Sequence, residues 1–201
     1  TVAGGNVLLD VNGDLTQLTD GAITADALAL IVDGSAILDN ASNDLNVIAI
    51  DAMGAIHYAD IDDLTVGTVS VVSPSLTLSG IVSDDDVKLI VDGNLTAEQI
   101  VALGDGDFWL DVAKDVTQTA TGTINANGIA LVVDGATILG ATNDVNVLAA
   151  RSDEAIHFVN NNDLIVGEVT IEKVIADRAM ADMNGSVVAN ETILSGVGTS
   201  D

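Results

Sequence analysis

Apolar residues come along this chain in short runs divided by turn-forming residues. The runs are Val7-Leu8-Leu9, Leu28-Ala29-Leu30-Ile31-Val32, Leu45-Asn46-Val47-Ile48, Leu64-Thr65-Val66, Val87-Lys88-Leu89-Ile90-Val91, Phe108-Trp109-Leu110, Ile129-Ala130-Leu131-Val132-Val133, Val145-Asn146-Val147-Leu148 and Leu164-Ile165-Val166. They are short and rich in β-branched residues, which predicts strands rather than helices. Alternation of apolar and polar residues in Asp14-Leu15-Thr16 and Ala22-Ile23-Thr24 predicts half-buried strands. Asp33-Gly34, Asp92-Gly93 and Asp134-Gly135 supply turns. There Gly is expected to accept a positive φ and Asp to bond its own backbone.

The runs start roughly 20 residues apart, the length of one coil of a β-solenoid. A longer repeat contains this rhythm. Val11-Asn12-Gly13-Asp14-Leu15-Thr16-Gln17 returns as Val112-Ala113-Lys114-Asp115-Val116-Thr117-Gln118, and Leu28 to Gly34 returns as Ile129 to Gly135. Asn43 to Val47 pairs with Asn143 to Val147, Ala55-Ile56-His57-Tyr58 with Ala155-Ile156-His157-Phe158, and Asp63 to Gly67 with Asp163 to Gly167. Two related repeats, 6–70 and 106–171, therefore lie in one solenoid, 1–201, joined by a looser segment, 71–105.

The same Asp-Gly signals would close the hairpins of a β-sandwich. A sandwich needs aromatic core anchors and keeps no fixed period, whereas this chain has one Trp, one Tyr and two Phe and does keep one. An all-β parallel β-helix of about 20 residues per coil is the favoured fold. Nine or ten coils at the strand spacing make a rod on the order of 45 Å long. Thr96-Ala97-Glu98-Gln99 fits a capping box, followed by Ile100 to Leu103 and Gly104, and residues 172–183 precede Gly185. Both are candidate short helical insertions, with a decorated coil as the preferred reading.

Charge narrows the partners. Lys+Arg is 5 against Asp+Glu 31, a formal net charge of -26. Such a surface cannot displace phosphate counterions, so nucleic acid is excluded as a direct partner, and an anionic membrane leaflet would repel it. With 48% hydrophobic residues the chain has enough apolar mass for a packed core, unlike a disordered acidic tail. Cysteine is absent, so no disulfide or thiolate site is expected. Every apolar run is cut well short of the ~18 residues of a membrane-spanning helix. No basic segment precedes an apolar stretch at Thr1-Val2-Ala3-Gly4-Gly5, and the chain reads as a processed or excised piece of something longer.

The order Gly-Asp-Leu-Thr-Gln (residues 13–17), an Ile-Thr-Ala strand, Leu-Ala-Leu-Ile-Val-Asp-Gly, Asn-Asp-Leu-Asn and Asp-Leu-Thr-Val-Gly resembles the repeats of filamentous-haemagglutinin-like exoproteins, large bacterial surface adhesins of the two-partner-secretion type. The resemblance covers residues 6–70 and 106–171 most clearly. It implies a right-handed parallel β-helix, export across an outer membrane, and a non-catalytic structural or adhesive role at the cell surface, with host-cell or matrix glycans or proteins as partners. The family's N-terminal secretion domain is not in this sequence.

Catalytic chemistry is hard to assemble from the sequence. Lys88, Lys114, Arg151, Lys173 and Arg178 are scattered, Phe108-Trp109 is the sole aromatic pair, and no nucleophile elbow, phosphate loop or His-Glu-x-x-His occurs. A carbohydrate-active β-helix enzyme, with acids converging near Phe108-Trp109, is the contrasting class. His57 and His157 hold equivalent repeat positions, too far apart for one ion, and are expected to be packing residues with satisfied rings. Calcium is the better metal candidate. Asp10, Asn12 and Asp14 have the oxygen spacing of a Ca²⁺ turn, although the second copy reads Asp111, Ala113 and Asp115. A solvated acidic face that blocks sideways pairing of strands is the preferred alternative.

A solenoid leaves an unpaired strand at each terminus. Leu78-Ser79-Gly80-Ile81 resembles Leu194-Ser195-Gly196-Val197. From this pattern we expect self-association through the β-helix ends, either within a tandem chain or between subunits of an extracellular filament or biofilm matrix.

Overall fold

The computed structural model describes residues 4–171 and 192–199. All regular structure in these residues is β, and its parallel strands stack as a solenoid of about eight turns with about 21 residues per turn. Winding brings each strand back beside its predecessor in the same direction, the crossover that parallel pairing requires. One ladder of paired residues runs through Leu15, Ala36, Ile56, Val87, Phe108, Ile129, Leu148 and Val166. Its rungs lie 18 to 21 residues apart, and 31 apart between Ile56 and Val87. The strand Val87–Val91 shows the packing rule: Val87, Leu89 and Val91 enter the core, while Lys88 and Ile90 stand half-buried between them.

The coils are fewer than the nine or ten expected because two β-hairpins take residues out of the winding path. Thr68–Val71 pairs antiparallel with Leu76–Ser79, and Glu168–Ile171 with Thr192–Ser195. Each leaves and rejoins the coil at a pair of glycines. Gly80 N donates to Gly67 O (2.8 Å) and Ile50 N to Gly80 O (2.9 Å). Gly196 N donates likewise to Gly167 O (2.8 Å) and Ala150 N to Gly196 O (2.6 Å). Gly80 and Gly196 take φ of 74° and 76°, which a side chain would strain. The ladder therefore closes across the gap as though the hairpin were absent.

Each hairpin lies on the outer face of the solenoid and builds a second, external core. Val69, Val71 and Leu78 cover Leu8, Ala27, Ala29 and Ala49. In the second copy Val169 and Ile171 cover Trp109, Ala130 and Ala149, the repeat counterparts of Leu8, Ala29 and Ala49. Alanine at these outward positions lets the hairpin lie close. Gly128, the counterpart of Ala27, already has Val169 where its Cβ would come within 3.0 Å of it.

The two copies are not stacked in the same orientation. Leu30 belongs to a ladder with Ile50 and Ile81, whereas its counterpart Leu131 sits above Leu110, Leu89, Tyr58 and Leu38. Ala36 lies beneath Ile56, while its counterpart Thr137 stands in a third ladder with Leu64, Leu95 and Val116. With three ladders per coil, the second copy is advanced by one third of a turn. Its hairpin therefore lies over a different side of the rod.

Two sequence expectations need correction. Thr96 to Gln99 does not cap a helix: Leu95–Ala97 and Val101–Ala102 are strands, and the Glu98 and Gln99 amides both donate to Val66 O (3.0 and 3.1 Å) at the corner between them. Pairing of Leu95 with Leu64 and Val116 on either side outweighs the local capping signal. Residues 172–183, the other candidate helix, lie outside the described residues. The Asp-Gly turns also have a different cause. Gly34, Gly93 and Gly135 are not among the positive-φ glycines. A Cβ on Gly34 would sit 2.3 Å from Asp14 Oδ1, and one on Gly135 would sit 2.3 Å from Asp115 Oδ1. Close stacking on the coil below, not turn conformation, demands glycine there.

Candidate functional site

Of the three residues singled out for calcium in the sequence, Asn12 and Asp14 take part in the corner of the coil. Asp10 is an exposed residue of the strand Asn6–Val11. Asn12 Nδ2 donates to Asp33 Oδ2 (3.0 Å), and Asp14 Oδ1 accepts from Ser35 N (2.9 Å) in the next coil. Higher on the rod, Asp63 Oδ1 accepts from Asn94 N (2.8 Å), Asn94 Oδ1 from Asp115 N (3.2 Å), and Asp115 Oδ1 from Ala136 N (2.8 Å). Asp14 and Asp115, repeat counterparts, thus do the same work: each holds the backbone of the following turn. Hydrogen bonds from Asn94 keep the Asp63 carboxyl below its usual range. Among the described residues no group of three or more His, Cys, Asp or Glu is placed to hold a metal ion.

The most unusual chemistry is on the strand Ile56–Asp60, all five residues of which are buried. Tyr58 and Asp60, two apart, point to the same side. Tyr58 Oη donates to Asp60 Oδ2 (2.5 Å), which also accepts from Leu45 N (3.2 Å), and Asp60 Oδ1 accepts from Asp62 N (3.2 Å). Burial pushes the Asp60 carboxyl up to about 7 against the opposing hydrogen bond from Tyr58. The Tyr58 hydroxyl is raised too, by burial first and then by the charge of Asp60. Asp60 borders a cleft of about 260 Å³ that Ala59, Ile90, Asp92, Asp111 and Asp134 also line. Apolar and acidic residues thus meet in one recess. Its lining carries no Lys or Arg.

The second copy rebuilds this corner without charge. Phe158 replaces Tyr58 and Asn160 replaces Asp60. Asn160 Oδ1 accepts from Val145 N (3.0 Å), and Nδ2 donates to Val145 O (2.9 Å) and Asn162 O (3.2 Å). Sequence reading passed over the pair. The signal was present in the repeat, as Tyr58-Ala59-Asp60 against Phe158-Val159-Asn160: a phenol and an acid change together.

His57 and His157 part company. His57 is buried beside Ile37 and Lys88 in its ladder, and neither ring nitrogen has a hydrogen-bond partner, so the expectation of a satisfied ring fails. Burial, then Lys88, pulls its pKa down to about 4, with Asp39 opposing. His157 is exposed. Phe108 points into the core, and Trp109 lies under the second hairpin with Lys88 Nζ 5.9 Å from the ring centroid. Neither ring offers an open platform. Lys114 Nζ stands 3.9 Å from Asp63 Oδ1 in an exposed pair, and Lys173 and Arg178 lie outside the described residues. No helix among the described residues is long and apolar enough to cross a membrane.

No family model, curated protein or solved structure matches the chain.

Proposed function

We propose that this chain is a structural segment of an extracellular or cell-surface protein, a rigid spacer of the kind that carries adhesive elements toward host-cell or matrix glycans or proteins. What duplication has kept supports this reading. The amide pair of half-buried Gln17 and buried Asn43 recurs as Gln118 and Asn143, the corner acid Asp14 as Asp115, and the outer alanines beneath each hairpin recur with their cover. The groups around the acidic corner are not kept together, since Tyr58, Asp60 and Asn12 become Phe158, Asn160 and Ala113, and His57, though it recurs as His157, passes from a buried to an exposed position. The scaffold is copied more closely than the acidic corner. An antibody raised against the folded chain should label intact producing cells, and external protease should remove the label. Labelling only after lysis would overturn the proposal.

End-to-end stacking is a second reading, favoured by bare core positions in the last described coil. Val166 is 59% exposed while its counterpart Val66 is 1% exposed. Val197 is half exposed where its counterpart Ile81 is buried. Such positions fit the underside of another coil, from a longer chain or a second copy. Sedimentation of the purified chain at raised salt separates the two. Concentration-dependent association abolished by Val166→Lys supports copies stacking, and a monomer at all concentrations excludes it.

A further inference from the structure

The lowest coil of the rod repeats the coil that joins the two copies. Residues 7–16 read Val-Leu-Leu-Asp-Val-Asn-Gly-Asp-Leu-Thr, and residues 87–96 read Val-Lys-Leu-Ile-Val-Asp-Gly-Asn-Leu-Thr. The core-facing residues are identical, with Val7, Leu9, Val11 and Leu15 matching Val87, Leu89, Val91 and Leu95. In the joining coil they are buried between two rungs: Val87–Val91 lies between Ile56–Asp60 and Phe108–Val112, and Leu95 between Leu64 and Val116. In the lowest coil the described strands pair with these residues from above only, and all four are half-buried.

The upper end is the complement. Ile156, Phe158 and Leu164 are the counterparts of Ile56, Tyr58 and Leu64, on which the joining coil stands. Val197 is the counterpart of Ile81, which carries Val101. Ile23, whose counterpart Ile124 lies directly on Val101, supplies the matching third face at the lower end. Among the described residues, the partly buried residues packed against the main core are Ile23, the four of the lowest coil, and Ile156, Phe158 and Leu164. All of them belong to the two end coils.

We propose, resting on the end-to-end reading above, that the upper coil docks the lowest coil of a second copy of this chain in the register that the joining coil holds on the first copy. Val7 then lies on Ile156, Leu9 on Phe158, Val11 on Asn160, Leu15 on Leu164 and Ile23 on Val197. The backbone ladder continues in the same way. Ile56 N donates to Asp86 O (3.0 Å) and Leu64 N to Asn94 O (2.9 Å), and across the junction Ile156 N donates to Asn6 O and Leu164 N to Asp14 O. Alternation fixes this register, because a slip of one residue turns Leu9 and Val11 out of the core. The docked copy begins in the ladder of Leu64, Leu95, Val116, Thr137 and Ile156, a further third of a turn on. The hairpins of three successive copies therefore occupy the three sides of the rod in turn.

One contact at the junction is unfavourable, and it makes docking depend on salt. In the first copy Asp63 Oδ1 accepts from Asn94 N (2.8 Å) and Asn94 Nδ2 (2.9 Å). At the junction Asp163 stands in the place of Asp63 and Asp14 in the place of Asn94. A second carboxylate replaces the amide donor, so the pair repels at low ionic strength and is screened as salt is added.

The chain has no cysteine, so introduced thiols report the register directly. Asp10 and Val159 alternate with core-facing residues and meet across the junction, as their counterparts Ile90 and Ala59 do within the chain. Asp10→Cys mixed with Val159→Cys at raised salt and treated with a short bis-maleimide should give a cross-linked dimer, and neither variant alone should give one. Association in sedimentation without that mixed product, or with cross-linking of either variant to itself, would overturn the register and leave end-to-end stacking standing. No association at any salt concentration would overturn both. Asp14→Asn, which restores the amide found at Asn94, should lower the concentration for half-association by about fivefold at low salt, and by less as salt is added. No gain at low salt would overturn the placement of Asp14 against Asp163.

Discussion

Gln17 and Asn43 form a reciprocal amide pair: Gln17 Nε2 donates to Asn43 Oδ1 (2.6 Å) and Asn43 Nδ2 donates to Gln17 Oε1 (3.2 Å). Gln118 and Asn143 repeat it at 2.6 and 3.3 Å. Both asparagines are fully buried. Each also serves the backbone, since Asn43 accepts from Ile23 N and donates to Leu38 O and Ala59 O, and Asn143 accepts from Ile124 N and donates to Val159 O. A buried amide group that satisfies several backbone groups at once fixes the path of the coil through its corner.

Removing that amide should therefore be expensive in both copies. Asn43→Leu and Asn143→Leu each leave a buried backbone N–H and at least one carbonyl unpaired, a loss of about 3 kcal/mol. Urea midpoints at a fixed slope would measure it. Losses below a few tenths of a kcal/mol at both positions would mean that water replaces the pair at little cost.

The glycines that touch the coil below should tolerate no side chain. Gly34→Ala and Gly135→Ala each place a Cβ 2.3 Å from a carboxylate oxygen that is itself holding the next turn. Overpacking of this kind costs about 1–3 kcal/mol. Gly140→Ala is the control, because its nearest neighbour is a His157 ring atom at 3.7 Å, and it should be close to neutral. Melting temperatures of the three variants decide the matter.

The first hairpin should be separable from the rod. Val69 is buried against Ala27, Ala29 and Ala49, while Val72 at the tip is almost fully exposed. Val69→Asp puts a charge into that outer core and should release the hairpin, giving fast proteolytic cutting between residues 68 and 79. The ladder from Ile50 to Ile81 closes through Gly67 and Gly80, so hydrogen exchange of the inner strands should change little. Global unfolding of the variant would show instead that the pad supports the solenoid.

Acid should act on His57. Its folded pKa of about 4 lies below the ordinary 6.5, so the unfolded chain binds the proton first. The stability that the neutral ring contributes is present above pH 6.5 and is lost as pH falls toward 4. His57→Leu should remove that component. The stability difference between variant and wild type, followed from pH 7 to 4, should grow in the variant's favour as acid is added. A flat difference would place His57 in contact with solvent.

The acidic coat should respond to ionic strength rather than to one ion. A net charge of -26 repels itself, and salt screens it. Sodium chloride and calcium chloride at equal ionic strength should raise the melting temperature by similar amounts, and Asp14→Asn should leave the calcium response unchanged. A saturable gain specific to calcium and absent from that variant would make Asp10, Asn12 and Asp14 a binding turn after all.

The parallel β-solenoid was legible in the chain as the favoured fold, because period and alternation are local properties. A core filled from every second residue, by runs that return at one coil length, has few other ways to pack. The chain also carried the duplication, visible from Val11 to Gln17 and again from Val112 to Gln118. How the copies meet became visible only in the folded chain. The third of a turn between them depends on Gly67 bonding Gly80 across twelve hairpin residues, and spacing along a chain does not reveal which residues leave the winding path. The same holds for the glycines of the Asp-Gly turns, whose constraint is the coil beneath. It holds too for Asp60, an acid like thirty others in the sequence until burial beside Tyr58 makes its charge costly.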